Sequence, residues 1–393
     1  MAKTQITIGI TDAGVDIYSM TDGSKNKIEL VSEQIKKTGY DEDYYVRLTD
    51  TLKKYMNSHP GAQNSTVTLV LPDGLIATDT ISIPVAHGIK ANDHVDITIK
   101  TLYKNISELK INKQQLAANK QTAIFSLTML RNDIYTSFHK ALSNAKLAPS
   151  VVTFTSNAAV DGAFAISSKT RNGTFLFLDI KEGRSIFAFV NKGRVVGYYP
   201  LPFGVEALSA NRVMPEETLF NHATAELAVM NANERAKAKK ITMDSADDDI
   251  NENIDGEEND GGDDFEQAGA GINATQFESL PRRGARKLPK FMQRPTPVDE
   301  DEFVCENFRV FEKWALNLIR YNSSITAAGD IGEVVVNISD DYAFIFDKLK
   351  EERDENGVDF SKLDTKNEKD IVFDNLELYG GFFASQYNKN NNF

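Results

Sequence analysis

Residues 9–15 read GITDAGV and follow an alternating apolar stretch at residues 5–10. Alternation of apolar and polar residues predicts a half-buried β-strand. Asp12 and Gly14 form an Asp-x-Gly turn at its end, and a second alternating stretch leads away from the turn. The pattern therefore predicts a hairpin with a carboxylate and a glycine at its tip.

A related pattern occurs about half a chain later. Residues 177–183 read FLDIKEG, so that Asp179 ends an apolar run and is followed by Lys181 and Gly183. Glycines let backbone N–H groups approach phosphate oxygens closely, and carboxylates can hold Mg²⁺ or its waters. Two such turns predict a duplicated fold with phosphate held between its halves. Both turns look like damaged copies of one phosphate-binding loop.

The composition allows two ordinary domains or one two-lobed unit. The chain has 393 residues, is 41% hydrophobic and has a mean hydropathy of -0.36, which is typical of a globular protein. The N-terminal residues lack the pattern of a secretory signal, and no long apolar run predicts a membrane-spanning helix. Cys305, the single cysteine, excludes an internal disulfide. It is interpreted as an inert thiol rather than a nucleophile, and the chain is expected to be cytoplasmic.

The net charge of -13 comes mostly from one segment. Residues 244–266 carry twelve acidic and no basic residues, so the rest of the chain is nearly neutral. This balance argues against nucleic-acid binding. The acidic tract 244–275 is predicted to be disordered. The basic stretch 281–294 has two interpretations: solvation or pairing with the acidic tract, or contact with anionic lipid headgroups.

Turn chemistry and periodicity divide the chain further. Strands at residues 66–71 and 78–83 are expected to form a hairpin around Pro72-Asp73-Gly74. A second hairpin is predicted across residues 185–200, and a helix after residue 204. The tail, residues 388–393, is polar and expected to be flexible.

This order of elements resembles the α/β actin-like (ribonuclease H-like) ATPase fold. More narrowly, it is similar to the type IV pilus assembly protein M family, which is related to the cell-division protein FtsA. The family opens with Asp-Ile-Gly-Ser-Ser, where residues 12–16 read DAGVD. Its Leu-Pro-Gly and Ile-x-Leu-Pro elements resemble residues 71–74 and 80–84, its second Asp-Ile-Gly loop resembles residues 179–182, and its Ile-Pro-x-Gly element resembles residues 201–204.

The resemblance implies a duplicated, two-lobed molecule with nucleotide in the cleft. Each lobe would supply one phosphate loop, and a Gly-Gly turn would close the adenosine pocket. The first lobe is expected at residues 1–205, with a small subdomain inserted at about 65–150. The second lobe is expected at residues 206–387. Family members bind a short cytoplasmic segment of an inner-membrane partner during assembly of the pilus or secretion platform.

All three loops depart from the family's pattern. Val15 and Asp16 replace the hydroxyl residues of the first loop, and Lys181 replaces the glycine of the second. Residues 337–341, where a glycine-rich adenosine turn is due, read NISDD. The degenerate phosphate loops would then comprise Asp12, Gly14, Asp179, Lys181 and Gly183. We expect no catalytic residue, no metal site and no resident cofactor, with Mg²⁺-ATP as the alternative.

The preferred hypothesis is a pseudo-ATPase scaffold at the inner face of the membrane. It would dock a peptide segment of a membrane protein on an edge strand near residues 76–83. The alternatives are a slow divergent ATPase using Asp12 and Asp179, a sugar or acetate kinase, and a filament-forming cytoskeletal protein. Self-association is left open.

Overall fold

The computed structural model describes most of the chain outside one long central segment. The described residues are 4–21, 28–36, 39–84, 91–103, 105–118, 121–167, 170–201, 203–208, 300–326, 331–351, 358–363, 375–387 and 392–393. The predicted acidic tract and basic stretch lie outside these residues. The helix predicted after residue 204 is described only at its start, as α5 (Val205–Leu208).

The first lobe is built on a five-stranded sheet of order β3-β2-β1-β4-β8. Its strands are β1 (Thr4–Ile10), β2 (Gly14–Thr21), β3 (Ile28–Gln34), β4 (Thr66–Leu71) and β8 (Val151–Phe154). The first three are antiparallel, whereas β4 runs parallel to β1 and to β8. Helices α1 (Glu42–Ser58) and α3 (Asn132–Asn144) pack their apolar sides into the core of this sheet.

The second lobe repeats this topology. Its sheet has the order β11-β10-β9-β12-β13. The strands are β9 (Phe175–Ile180), β10 (Ser185–Asn191), β11 (Arg194–Leu201), β12 (Glu333–Asn337) and β13 (Asp359–Lys362). As in the first sheet, β9, β10 and β11 are antiparallel, whereas β12 runs parallel to both of its neighbours, β9 and β13. Helices α6 (Glu300–Thr326) and α7 (Phe344–Glu351) complete its core, so the predicted duplication is present.

A small third sheet projects from the first lobe. It has the order β5-β7-β6, with β5 (Ile76–Pro84), β6 (Leu109–Ala118) and β7 (Thr122–Arg131). Val95 and Ile99 of α2 (Ala91–Leu102) pack into its core. The inserted subdomain therefore spans residues 76–131 rather than about 65–150. The expected hairpin around Pro72-Asp73-Gly74 is wrong, because β4 joins the main sheet and β5 pairs with β7.

The boundary between the lobes lies earlier than predicted. Because β9, β10 and β11 pair within the second sheet, the first lobe ends at α4 (Thr155–Ile166) and not at residue 205. Helix α8 (Leu376–Gly381) crosses α4 at very short range. A Cβ at Gly380 would lie 1.7 Å from the Ala158 carbonyl oxygen, so only glycine permits this contact.

Residues 392–393, at the end of the described chain, are held in place, whereas residues 388–391 of the tail predicted to be flexible lie outside the described residues. The Phe393 N–H donates to the Val152 carbonyl (2.7 Å), and the Val152 N–H donates to the Phe393 carbonyl (3.2 Å). The side chain of Asn392 accepts from Asn157 at 2.9 Å and donates to the Ala384 carbonyl at 2.6 Å. Backbone pairing with β8 therefore orders these two residues despite their polar surroundings in sequence.

Candidate functional site

The predicted turns meet at a cleft between the two sheets. A cavity of about 70 Å³ lies there. It is lined from both lobes by residues 9–12, Asp16, Val70, Pro72, Thr155, Arg184, Glu377 and Leu378. Pockets that enclose a small-molecule ligand usually measure roughly 300–1,000 Å³. The cleft as it stands is therefore far smaller than a nucleotide site.

The first turn keeps its glycine for a structural reason. The Thr11 N–H donates to the Gly14 carbonyl at 3.0 Å, and the Gly14 N–H donates to Thr11 Oγ1 at 3.0 Å. A Cβ at Gly14 would lie 2.0 Å from the carbonyl oxygen of Glu33 in β3. Asp12 is exposed and reaches the cavity. Close packing of β2 on β3 thus accounts for Gly14 without any ligand.

The second turn is organised differently. Asp179 ends β9 and is buried, and its Oδ1 accepts a hydrogen bond from Asn337 Nδ2 at 2.8 Å. The turn closes through a hydrogen bond from the Lys181 N–H to the Arg184 carbonyl at 2.9 Å. Among the described residues, no atom beyond its chain neighbours lies within 4 Å of a Cβ built at Gly183. Gly183 is therefore not required by packing.

Residues 203–204 brace the second turn from behind. A Cβ at Gly204 would lie 1.8 Å from the Lys181 carbonyl oxygen, and the Val205 N–H donates to that same oxygen at 2.8 Å. Ser185 Oγ donates to the Phe203 carbonyl at 2.8 Å. The glycine of the Ile-Pro-x-Gly-like element is thus explained by close backbone packing.

The side chain of Lys181 lies between two carboxylates. Its Nζ is 3.2 Å from Glu377 Oε2 and 3.8 Å from Asp179 Oδ1. The contact with Glu377 is an ion pair without aligned hydrogen-bond geometry. Lys181 and Glu377 are 19% and 20% exposed, so water screens this pair only partly. An ammonium group therefore lies at the second turn, between a carboxylate of its own lobe and one of helix α8.

Burial raises the pKa of the Asp179 carboxyl above its ordinary value. Lys181 opposes this shift, Glu377 adds to it, and the hydrogen bond from Asn337 opposes it. Loss of solvation is the largest contribution, because the carboxyl has almost no contact with water.

Sequence reasoning missed a further carboxylate near the cleft, that of Asp73. Asp73 Oδ1 accepts from the Ser156 N–H at 2.9 Å, and Oδ2 accepts from Ser156 Oγ at 2.7 Å. Phe154, the N-cap residue of α4, makes no side-chain cap, so Asp73 satisfies the start of that helix from another loop. Burial raises the pKa of Asp73, and the two bonds from Ser156 oppose the shift.

The third predicted loop is also filled by its own side chains. The Asn337 side chain points at Asp179, as described above. The Asp341 N–H approaches Ser339 Oγ at 3.5 Å, and Asp340 forms an ion pair with Lys362 of β13. These contacts occupy the loop that would have to approach an adenosine.

Helix α8 covers the start of the first turn. Leu378 is buried, and a Cβ at Gly9 would lie 2.5 Å from its Cδ2. Glu377, the preceding residue, carries the carboxylate that meets Lys181. One helix thus supplies both an apolar cover over β1 and a charged contact to the second lobe.

The five predicted site residues therefore differ in their positions. Asp12 lines the cavity, whereas Asp179 and Lys181 lie behind it in an ion-pair cluster. Gly14 is packed against β3, and Gly183 is exposed. Arg184 and Glu377 line the cavity but were not predicted. The cysteine, histidine and acidic side chains of the described ranges form no group of three or more that could hold a metal ion.

Two five-stranded sheets of identical topology around such a cleft define the actin-like class of folds. Neither a family model nor a curated protein matches the sequence. A solved PilM-PilN type IV pilus biogenesis complex matches 100% of this chain and 99% of its own, at 11% identity and a TM-score of 0.50. This likeness confirms the predicted two-lobed actin-like fold.

Two further structures match with lower TM-scores. The cytoplasmic domain of EpsL, an inner-membrane component of the type II secretion system of Vibrio cholerae, has 9% identity and a TM-score of 0.33, covering 51% of this chain and 71% of its own. The ethanolamine utilization protein EutJ from Carboxydothermus hydrogenoformans has 9% identity and a TM-score of 0.33, covering 96% and 90%. Separately, no helix among the described residues is long and apolar enough to cross a membrane.

Proposed function

We propose that this chain is an actin-fold scaffold that has lost ATP turnover. In this role it docks a cytoplasmic segment of an inner-membrane protein during assembly of a type IV pilus or a related secretion machine. The observation that carries the proposal is the occupied cleft. At the three turns, Leu378 covers Gly9, Lys181 lies between Asp179 and Glu377, and Asn337 donates to Asp179.

Charge in the cleft supports the loss of nucleotide binding. Asp12, Asp16 and Glu377 line the cavity, whereas Arg184 is the one cation among its lining residues. Asp179 lies directly behind it. A triphosphate entering this space would face several carboxylates in a poorly solvated environment, where repulsion between like charges is strong. The same arrangement stabilises the empty protein, because Lys181 already compensates two of those carboxylates.

The proposed membrane-protein partner is inferred from the solved PilM-PilN structure, which has the same fold. Its description names a complex of PilM with PilN in type IV pilus biogenesis. By analogy, we infer that this chain acts at the cytoplasmic face of the inner membrane and receives a short segment of a membrane protein. An actin-like fold alone does not define a function, so the docking surface needs its own argument.

Strand β5 is the surface that best suits an extended peptide. It pairs with β7 along one edge, and no other strand of the described ranges pairs with its second edge. Ile81 and Ile83 face the core, whereas Thr80 and Ser82 are exposed. The Thr80 N–H donates to the Asp79 carboxylate at 2.7 Å. An extended segment can add to such an edge through backbone hydrogen bonds.

The test combines a crosslinker at Ser82 with substitutions at Thr80. A photoreactive residue at Ser82 in living cells should crosslink to a membrane protein, within its cytoplasmic segment. Thr80→Pro removes the N–H and should abolish the crosslink, whereas Thr80→Val keeps the N–H and should retain it. Thermal melting of both variants checks that the sheet is intact. A crosslink that survives Thr80→Pro, or that joins only soluble proteins, would contradict docking on this edge.

A further inference from the structure

The second turn and the first lobe carry complementary charges where they face each other. Lys181 and Arg184 belong to the turn between β9 and β10. Opposite them lie Glu377, on α8, and Asp73, which caps α4. Burial raises the pKa of Asp73, and the charge of Arg184 is among the influences that oppose this rise. The second turn therefore places Lys181 against Glu377 and Arg184 in the vicinity of Asp73, and elements of the first lobe hold both carboxylates.

Helix α8 packs mainly on elements of the first lobe, although it follows the second lobe in sequence, and its Leu376 also joins an apolar cluster of α4 with the second sheet. Tyr379 and Phe382 pack with Tyr18 of β2, and Phe382 stacks on Tyr18 at 5.6 Å between ring centroids. Gly380 fixes α8 against α4 at backbone contact. Because α8 is held this tightly to the first lobe, an ion pair between Glu377 and Lys181 is a contact between lobes.

From this geometry we propose that Lys181 acts as a latch, meaning that its ion pair with Glu377 holds the two lobes together across the cleft in place of a nucleotide. This second proposal rests on the proposed function, in which the cleft holds no ATP. The ammonium group lies 3.8 Å from Asp179 on its own lobe and 3.2 Å from Glu377 across the cleft, and it adds a charged contact between the lobes to the apolar packing of α4 on the second sheet. The docking surface is then presented in one fixed arrangement of lobes that no cycle of binding and hydrolysis alters.

The strength of the latch follows from partial burial. Lys181 and Glu377 are about four-fifths buried, whereas the ion pair between Lys53 and Asp50 on α1 has side chains that are 53% and 63% exposed. Exposed pairs of this second kind contribute little to stability, because water screens them. Removing one partner of a partly buried pair leaves an uncompensated charge, which costs more than the pair itself contributed.

The test measures the distance between the lobes with two spin labels. The labels replace exposed Val46 on α1 and Lys350 on α7 in a Cys305→Ser background. The parent protein should give one narrow distance distribution, unchanged by Mg²⁺-ATP. Lys181→Met, which keeps the bulk and removes the charge, should broaden it and shift it to longer distances. Lys53→Met is the matched control and should leave it unchanged.

Charge reversal makes the test specific. Lys181→Glu should open the lobes further than Lys181→Met, and the double variant Lys181→Glu with Glu377→Lys should recover the narrow distribution. If Lys181→Met keeps the parental distribution and the double variant brings no recovery, the latch is wrong while the scaffold proposal stands. If Mg²⁺-ATP narrows or shifts the parental distribution, nucleotide acts on the cleft and both proposals fail.

Discussion

The two turns at the cleft share an Asp-x-Gly or Asp-x-x-x-Gly pattern but keep it for different reasons. In the first, Asp12 is exposed and Gly14 is fixed by the carbonyl of Glu33, 2.0 Å from where a Cβ would lie. In the second, Asp179 is buried in an ion-pair cluster, and Gly183 meets no packing constraint. Residues that look like remnants of one phosphate-binding motif are therefore retained by strand packing in one lobe and by electrostatics in the other.

The largest effect expected from this comparison is at the two glycines. Gly14→Ala should lower the free energy of unfolding by about 3 kcal/mol, because the new Cβ forces β2 away from β3. Gly183→Ala should change it by less than about 0.5 kcal/mol, since the added methyl points into open space. Urea unfolding of both variants measures the difference. Equal effects would show that the two turns are not distinguished by packing.

The next effect concerns the carboxylate that caps α4. Asp73→Ala removes both hydrogen bonds to Ser156 and should cost about 1–2 kcal/mol in the free energy of unfolding. Asp73→Asn retains an acceptor for the Ser156 N–H and should cost clearly less. Urea unfolding at constant pH compares them. If Asp73→Ala unfolds at the parental urea concentration, the cap does not hold the start of the helix.

The smallest effect is a pH dependence at Asp179. Burial raises the pKa of this carboxyl in the folded state, so its ionisation disfavours folding as the pH rises through that pKa. Its contribution to stability is fully present below the pKa of the unfolded chain and is lost towards neutral pH. Asp179→Asn should therefore gain stability relative to the parent as the pH rises from 4 to 7. The exposed Asp12, replaced by asparagine, is the control.

The quantity to compare is the difference in stability between the Asp179→Asn variant and the parent at each pH. Thermal melting at several pH values gives it without assumptions about the rest of the chain. A difference that stays constant with pH, or that is the same for Asp12→Asn, would mean that the buried carboxyl is already well compensated by Lys181 and Asn337.

Much of the fold could be predicted because its strands have clear local patterns. The predicted strands at residues 66–71 and 185–191 match β4 and β10. Helix α4 was missed, since its small residues are buried on all sides and give no amphipathic period. Strand β3 was missed because most of its residues lie at the surface. Pairing order also escaped prediction, which is why β4 and β5 were wrongly joined.

The site was predictable only within each turn. Local sequence indicated Asp12, Gly14, Asp179, Lys181 and Gly183 as loop residues. Of these, Asp12 lines the cavity, whereas Asp179 and Lys181 lie behind it. The partners that decide the chemistry come from far along the chain. Ser156 meets Asp73 across 83 positions, and Glu377 reaches Lys181 from the last described helix. No spacing rule within one sequence could connect them.

The central claim is that the cleft no longer takes nucleotide, and calorimetry tests it most directly. The folded protein should be titrated with ATP and Mg²⁺ at concentrations that would detect a Kd of roughly 1 μM. The account predicts no heat beyond dilution, for the parent and for Asp12→Ala alike. Saturable binding by the parent that Asp12→Ala removes would contradict it, and the protein would have to be regarded as controlled by nucleotide.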